Sequence, residues 1–186
     1  MPILPAEPGL YPATLFTEPG ALSGSSRSWR VFHTKPRQEK ALARELHDTE
    51  LPFYLPLIAR PRLVRGRRLT AYVPLFPGYC FALADETERI RALATHRVVR
   101  SIEVPDQAKL WADLRQIQQL IDSGAPITPE GQLGPGTLVE IRTGPLAGLR
   151  GVIISRANQQ RFVVRVDFIQ RGASVDLDQY MLAKVI

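Results

Sequence analysis

Side chains able to support catalysis are few in this chain of 186 residues, and they are scattered. The three histidines, His33, His47 and His96, fall in different segments, and none forms the HxxxH spacing that sets two imidazoles on one helix face for a metal. Cys80 is the only cysteine, which excludes an internal disulfide and a cysteine-based zinc site. It lies in the apolar run YCFALA, where a buried, inert thiol is far commoner than a nucleophile. Neither GxSxG nor GxxxxGKS/T occurs, and no spaced carboxylate pair stands out. These patterns predict a protein that binds rather than reacts, with no metal and no cofactor.

Binding chemistry is better represented. The segment ARPRLVRGRR, residues 59–68, carries Arg60, Arg62, Arg65, Arg67 and Arg68 and no acid. Strand alternation would place Arg60 and Arg62 on one side and a turn near Gly66 would present the other arginines at a tip, where forked guanidinium donors reach phosphates. A solvated hairpin whose charge protects it from edge pairing accounts for the same run. Lys35, Arg37 and Lys40 cluster at the start of an expected helix; cations there oppose the helix dipole, a cost that a phosphate ligand would offset, although plain exposure also explains them. The totals, 24 Lys+Arg against 18 Asp+Glu, a net charge of +6 and a pI of about 9.9, favour an acidic partner such as nucleic acid or an anionic membrane. No run approaches the roughly 18 apolar residues of a membrane span. The first 27 residues hold five prolines and three glycines and lack a signal-peptide pattern, so a cytoplasmic location is expected.

These groups need elements to position them. Residues 1–27 show no sustained period and read as a disordered tail. From Ser28, a β-prone run through Thr34 precedes a helix opened by Pro36, with Ala41, Leu42, Glu45 and Leu46 along its apolar side. An extended hairpin and a core strand follow. After Asp85 comes a helix with Ile90, Leu93 and Ala94 on one face, then a strand near 97–104 and a helix through Ile121 with Leu110, Leu114, Ile117 and Ile121 aligned. The order β-α-β-β-β-α-β-α predicts an α+β domain, residues 28–122, with helices packed on a mainly antiparallel sheet. Residues 123–133 read as a Pro/Gly linker, and residues 134–186 as four or five strands of a small β-barrel. Within that barrel, Gly144, Gly148 and Gly151 suit tight turns or close backbone approach.

One stretch, VPLFPGYCFAL at residues 73–83, interrupts its β-formers with Phe76-Pro77-Gly78-Tyr79, which demands a fixed bend beside two aromatic rings. Together with the strand from Trp29, the arginine hairpin and PGTLVEIRTGPLAGLRGVI after the linker, it resembles the NusG family of transcription elongation factors over residues 28–186. The hairpin is most similar to that of the specialised, RfaH-like antitermination members. The resemblance implies an NGN-like domain followed by an SH3-like KOW barrel, a monomer without enzymatic activity, and an action on elongation through binding. It implies that Trp29, Phe76, Pro77, Gly78 and Tyr79 form an apolar depression for the clamp helices of the RNA polymerase largest subunit. Lys35 and Arg97 would fall near the non-template DNA strand, with Arg37, Lys40, Arg65, Arg67 and Arg68 as further nucleic-acid contacts. Phe168, Ile169 and Arg171 would meet a small-subunit ribosomal protein or Rho, although the family's loop has its aromatic one position away and a Gly where Gln170 stands. Glu86-Thr87-Glu88 replaces the polar cluster by which specialised members touch a polymerase gate loop. The alternative from another class is a KOW-type RNA- or ribosome-binding module whose N-terminal domain is a scaffold.

Overall fold

Two antiparallel sheets organise the chain, one in each of two units, Met1–Gln107 and Ala108–Ile186. The computed structural model describes residues 8–17, 26–64, 66–130, 136–156, 159–176 and 183–185. In the first unit the elements run β1 (Leu10–Tyr11), β2 (Ser28–Thr34), α1 (Glu39–Asp48), β3 (Phe53–Tyr54), β4 (Leu57–Val64), β5 (Arg67–Pro74), β6 (Tyr79–Ala84), α2 (Glu86–Ala94) and β7 (Val98–Glu103). Five of the strands form one sheet in the order β1-β3-β6-β2-β7, giving the α+β architecture expected from the sequence. Among the described residues, strands β4 and β5 form a separate two-stranded sheet, from Leu57 opposite Pro74 to Val64 opposite Arg67.

Because side chains alternate across a strand, register assigns each residue to a face. One face carries Phe32, Phe53, Cys80, Ala82 and Ala84, packed against Leu42, Ala43 and Leu46 of α1 and Ala92 of α2. The opposite face carries Trp29, Val31 and His33 of β2, aligned with Leu83, Phe81 and Tyr79 of β6, while Tyr54 of β3 lies beside Phe81. All of these except His33 and Tyr79 are buried.

Two expectations for this unit change. Helix α2 does not bury Ile90 and Ala94, which are exposed; Ala92 is buried and Leu93 partly so. Its rotation is fixed by polar contacts: Asp85 Oδ1 accepts from the Glu88 amide at 2.8 Å, Glu88 Oε2 accepts in turn from the Asp85 amide at 2.9 Å, and Arg27 Nε donates to the Glu88 carboxylate at 3.0 and 3.1 Å. Glu88 is thereby turned inward, and Ala92, four residues on, follows it. The second change concerns residues 8–17, expected to be disordered. Leu10 and Tyr11 pair with Tyr54 and Phe53, the Leu55 amide donates to Gly9 O at 2.6 Å, and Leu15 and Phe16 are 2% and 7% exposed. The glycine that suggested loose chain is there for close approach: a Cβ on Gly9 would lie 2.8 Å from Leu55 O. Residues 1–7 and 18–25 of the expected tail lie outside the described residues.

The second unit contains α3 (Gln107–Asp122, whose first residue belongs to the first unit), β8 (Thr128–Glu130), β9 (Thr137–Ile141), β10 (Arg150–Arg156), β11 (Gln159–Val166), a 3-10 turn (Asp167–Ile169), β12 (Arg171–Asp176) and β13 (Ala183–Val185). The sequence reading drew its boundary after α3, at residue 122. In the structure Asp113 and Gln116 of this helix accept from the backbone amides of Asp167 and Arg150, and the compact second unit begins at Ala108. Leu110, Leu114 and Ile117 are buried as the spacing required, with Leu120 in place of Ile121. Six strands pair in the order β13-β9-β10-β11-β12-β8 around buried Val139, Ile141, Val152, Phe162 and Val164. Gly151 is forced by that packing, since a Cβ would lie 2.3 Å from Val163 O. Part of the expected linker is strand: β8 pairs with β12 at the sheet edge, where Pro129 is tolerated, and Glu130 accepts from Ser174 Oγ at 2.7 Å. Residues 131–133 lie outside the described residues.

Candidate docking site

The bend at residues 76–79 is a turn with the Tyr79 amide donating to Phe76 O at 3.1 Å. Pro77 occupies its second position and Gly78, at φ +85°, its third, which is the residue pattern of a type II turn. Three contacts fix it. The Gly78 carbonyl accepts from the Thr34 amide at 2.9 Å, the Gly78 amide donates to Glu39 Oε1 at 2.7 Å, and the ring centroid of Tyr79 lies 5.5 Å from that of His33. Glu39 is buried as the first residue of α1, where the helix N-terminus favours a negative charge. Pro77 is exposed, and Gly78, Tyr79 and His33 are half-buried, so this corner of the sheet offers one aromatic and one imidazole ring on an anchored frame.

Trp29 and Phe76, expected to line the same depression, are instead sealed in the core at 0% and 1% exposure. Trp29 sits mid-face on β2, with Gln107 Oε1 accepting from its amide and Gln107 Nε2 donating to its carbonyl at 3.0 Å. Phe16 stacks over the Trp29 ring, centroids 6.2 Å apart and planes 4° apart, while also meeting Tyr54 edge-on at 4.9 Å. Phe76 packs edge-on to Phe81 at 6.3 Å. Of the five residues, Pro77, Gly78 and Tyr79 reach the surface, and His33 joins them. The alternation of β2 already put His33 on the Trp29 face; Glu39 and Phe16 had no comparable signal, because each acts through a long-range contact.

The basic groups separate into a corner and an arm. Lys35 and Arg37 are exposed next to the turn, and the Lys35 amide donates to Arg97 O at 2.8 Å, which brings Arg97 to the same corner. Arg97 is partly occupied: its Nε reaches Glu45 Oε1 at 2.7 Å and its Nη1 donates to Gln38 Oε1. Lys40 is half-buried on α1. Arg100, not singled out from the sequence, is exposed opposite His33 on β7. On the hairpin arm Arg60 and Arg62 share one exposed face and Arg68 is exposed on the other; Arg65 and the side chain of Arg67 lie outside the described residues. Leu63, Leu69 and Tyr72 on the same arm are 70%, 53% and 48% exposed.

Glu86 and Glu88 at the start of α2 are engaged internally, Glu86 with Arg89 at 2.7 Å and Arg30 at 3.6 Å, Glu88 with Arg27 and Asp85. The Arg27–Glu88 hydrogen bonds raise the pKa of Arg27 further. Burial pushes the Cys80 thiol far above its ordinary range, so it stays protonated. In the second unit Phe168 and Ile169 are half-buried in the 3-10 turn, Gln170 adopts φ +52° with its Nε2 donating to Asp167 O at 2.6 Å, and Arg171 is half-buried at the start of β12. Among the described residues no group of three or more His, Cys, Asp and Glu is arranged to hold a metal, and no helix is long and apolar enough to cross a membrane.

Comparison with known proteins adds three findings. A family model described as "NusG: Transcription termination factor nusG" matches residues 27–122. A solved structure of NusG from Thermotoga maritima, titled for its domain interaction, is similar at 20% identity and a TM-score of 0.43, covering 81% of this chain and 93% of its own. No curated protein matches.

Proposed function

Because this chain belongs to the NusG family of transcription factors, we propose that its first unit docks on the clamp helices of the RNA polymerase largest subunit through Pro77, Gly78, Tyr79 and His33. Members of this family are non-enzymatic and interact with RNA polymerase. The observation that carries the finer reading is the turn itself: an exposed Pro77 and a half-exposed Tyr79 held by Glu39, Thr34 and His33. A rigid aromatic on an anchored frame loses little freedom on binding, which is what makes such residues strong anchors in interfaces. Bridging the clamp favours the closed polymerase over the open, paused form by differential affinity, without chemistry, and so promotes processive elongation and antitermination.

Lys35, Arg37 and Arg100 border this site, and Arg60, Arg62 and Arg68 extend along the hairpin, so the non-template DNA strand is the proposed second contact. Arg97, already paired with Glu45 and Gln38, orders the corner more than it offers a free cation. The second unit is proposed to act as a KOW-type module, its 3-10 turn offering Phe168 and Ile169, and the start of β12 offering Arg171, to a ribosomal protein or Rho. Titration of full-length protein into core RNA polymerase tests the primary site. Tyr79→Ala should weaken binding at least tenfold, as truncation of an interface anchor does, and leave cooperative unfolding intact. Unchanged affinity would remove the assignment.

A further inference from the structure

The helix-covered side of the first sheet, opposite the face that carries Tyr79 and His33, has a cleft of about 220 Å³ between α1 and α2. Its floor is apolar: Leu46, Leu51 and Ala92 belong to the core that the two helices close. Its walls come from the helix ends. Thr49 and Thr95, the residues that cap the C-termini of α1 and α2, both line it, so the negative ends of two helix dipoles meet there. Thr49 Oγ1 donates to Glu45 O at 2.9 Å and Thr95 Oγ1 to Ala92 O at 2.7 Å. With each hydroxyl proton used in this way, what remains on either oxygen is acceptor capacity.

Charge around the cleft is unevenly placed. Arg91, in the last turn of α2, has the sign that its helix dipole favours. Helix α1 ends in the opposite sense, with Glu45, Asp48 and Glu50 in its last turn and just beyond, where negative charge is unfavourable. Glu45 is paired with Arg97 at 2.7 Å, and Glu88, on the α2 wall, with Arg27 at 2.5 Å. The Asp48 side chain is 78% exposed at the cleft and has the His47 imidazole at 3.8 Å, an ionic partner only when that ring is protonated.

We infer that this cleft receives one lysine or arginine side chain of a basic polypeptide partner, its methylene stem on Leu46, Leu51 and Ala92 and its cationic head beside Asp48 and Thr49. A volume below the roughly 300–1,000 Å³ of drug-sized ligand sites fits a single long side chain better than a cofactor. An apolar floor under acceptor-rich walls matches a side chain that is apolar along its length and carries only donors at its tip. Among the described residues that line the cleft, an anion would meet Arg91 as its one opposite charge, against the carboxylates of Glu45, Asp48 and Glu88. The cleft lies on the other side of the sheet from Tyr79, so the inference stands apart from the polymerase reading.

Side-chain analogues test it in the full chain labelled with ¹⁵N. n-Butylguanidinium is titrated alongside n-butyrate and 1-butanol, with the amide shifts of Asp48, Leu51, Ala92 and Thr95 followed in wild type, Asp48→Asn and Asp48→Lys. Both substitutions fall at an exposed position and should leave folding intact. Saturable shifts at these four amides with about millimolar affinity are expected from butylguanidinium, a ligand of few atoms, and none from butyrate or butanol. Asp48→Asn should weaken the binding about threefold, as loss of one exposed charge pair does, and Asp48→Lys should weaken it further. The capped peptide acetyl-Gly-Arg-Gly-amide should move the same amides. Absence of saturable shifts, an equal response to butyrate or butanol, or an affinity unchanged in Asp48→Asn overturns the inference. Saturation by spermine without any response to the peptide would assign the cleft to free polyamines and overturn the polypeptide partner.

Discussion

Two chain reversals, residues 76–79 in the first unit and 167–170 in the second, solve the same problem with different residues. Each places a residue in the left-handed region, Gly78 at φ +85° and Gln170 at φ +52°, and each has a backbone amide held by a buried carboxylate on a helix, Gly78 by Glu39 and Asp167 by Asp113. The first is built at low cost, because glycine takes positive φ freely and Glu39 sits at a helix N-terminus where the dipole supports its charge. The second carries more strain: a side chain in the left-handed region, and a carboxylate in mid-helix whose burial pushes its pKa up. The Asp167 amide and Lys109 pull that pKa the other way without offsetting the burial. A strongly built frame fits a docking surface that must keep its shape, and this contrast is the reason the first turn is the one proposed as the primary site.

The comparison can be broken at the anchors. Glu39→Ala leaves the Gly78 amide without its charged acceptor and should cost about 2–3 kcal/mol in urea unfolding, with weaker polymerase binding although Glu39 itself is buried. Glu39→Gln keeps an acceptor and should recover most of both. Asp113→Ala should cost less, about 1–2 kcal/mol, since the amide it releases sits at 3.2 Å and the charge removed was already disfavoured.

How much of this was legible follows from the range of each interaction. The turn at Pro77-Gly78 could be read because Pro and Gly declare their backbone angles locally, and the faces of β2 and α3 could be read from spacing. Trp29 and Phe76 were expected at the surface, since nothing local distinguishes an aromatic that lines a hollow from one that fills the core. The order of residues 8–17 was hidden for the same reason: Pro and Gly lower local propensity, while Phe16 is held by Trp29 and Tyr54, which lie far along the chain. The orientation of α2 was set by Arg27 and Glu88, a pair that apolar periodicity does not see.

Smaller effects sharpen the contrast. Asp113 binds its proton more tightly in the folded state than its ordinary value of 3.8, so its charged form burdens the fold at neutral pH, and this burden is relieved as pH falls through its folded-state pKa towards 3.8. Asp113→Asn, which keeps an oxygen for the Asp167 amide, should therefore be more stable than wild type by about 1 kcal/mol or less at pH 7. That advantage should shrink as the pH approaches 4 in paired urea titrations. Gln170→Gly relieves the left-handed side chain but gives up the bond from Nε2 to Asp167 O, and a net gain of about 0.5 kcal/mol is expected by thermal unfolding.

The central claim, that the 76–79 turn is the polymerase contact, is tested most directly by placing a photo-crosslinking phenylalanine derivative at position 79 in the full chain and irradiating its complex with core RNA polymerase. The account predicts a crosslink to the clamp helices of the largest subunit. It also predicts that the same group at position 168 gives none there. Crosslinks to the clamp helices from position 168 with none from position 79 would contradict it.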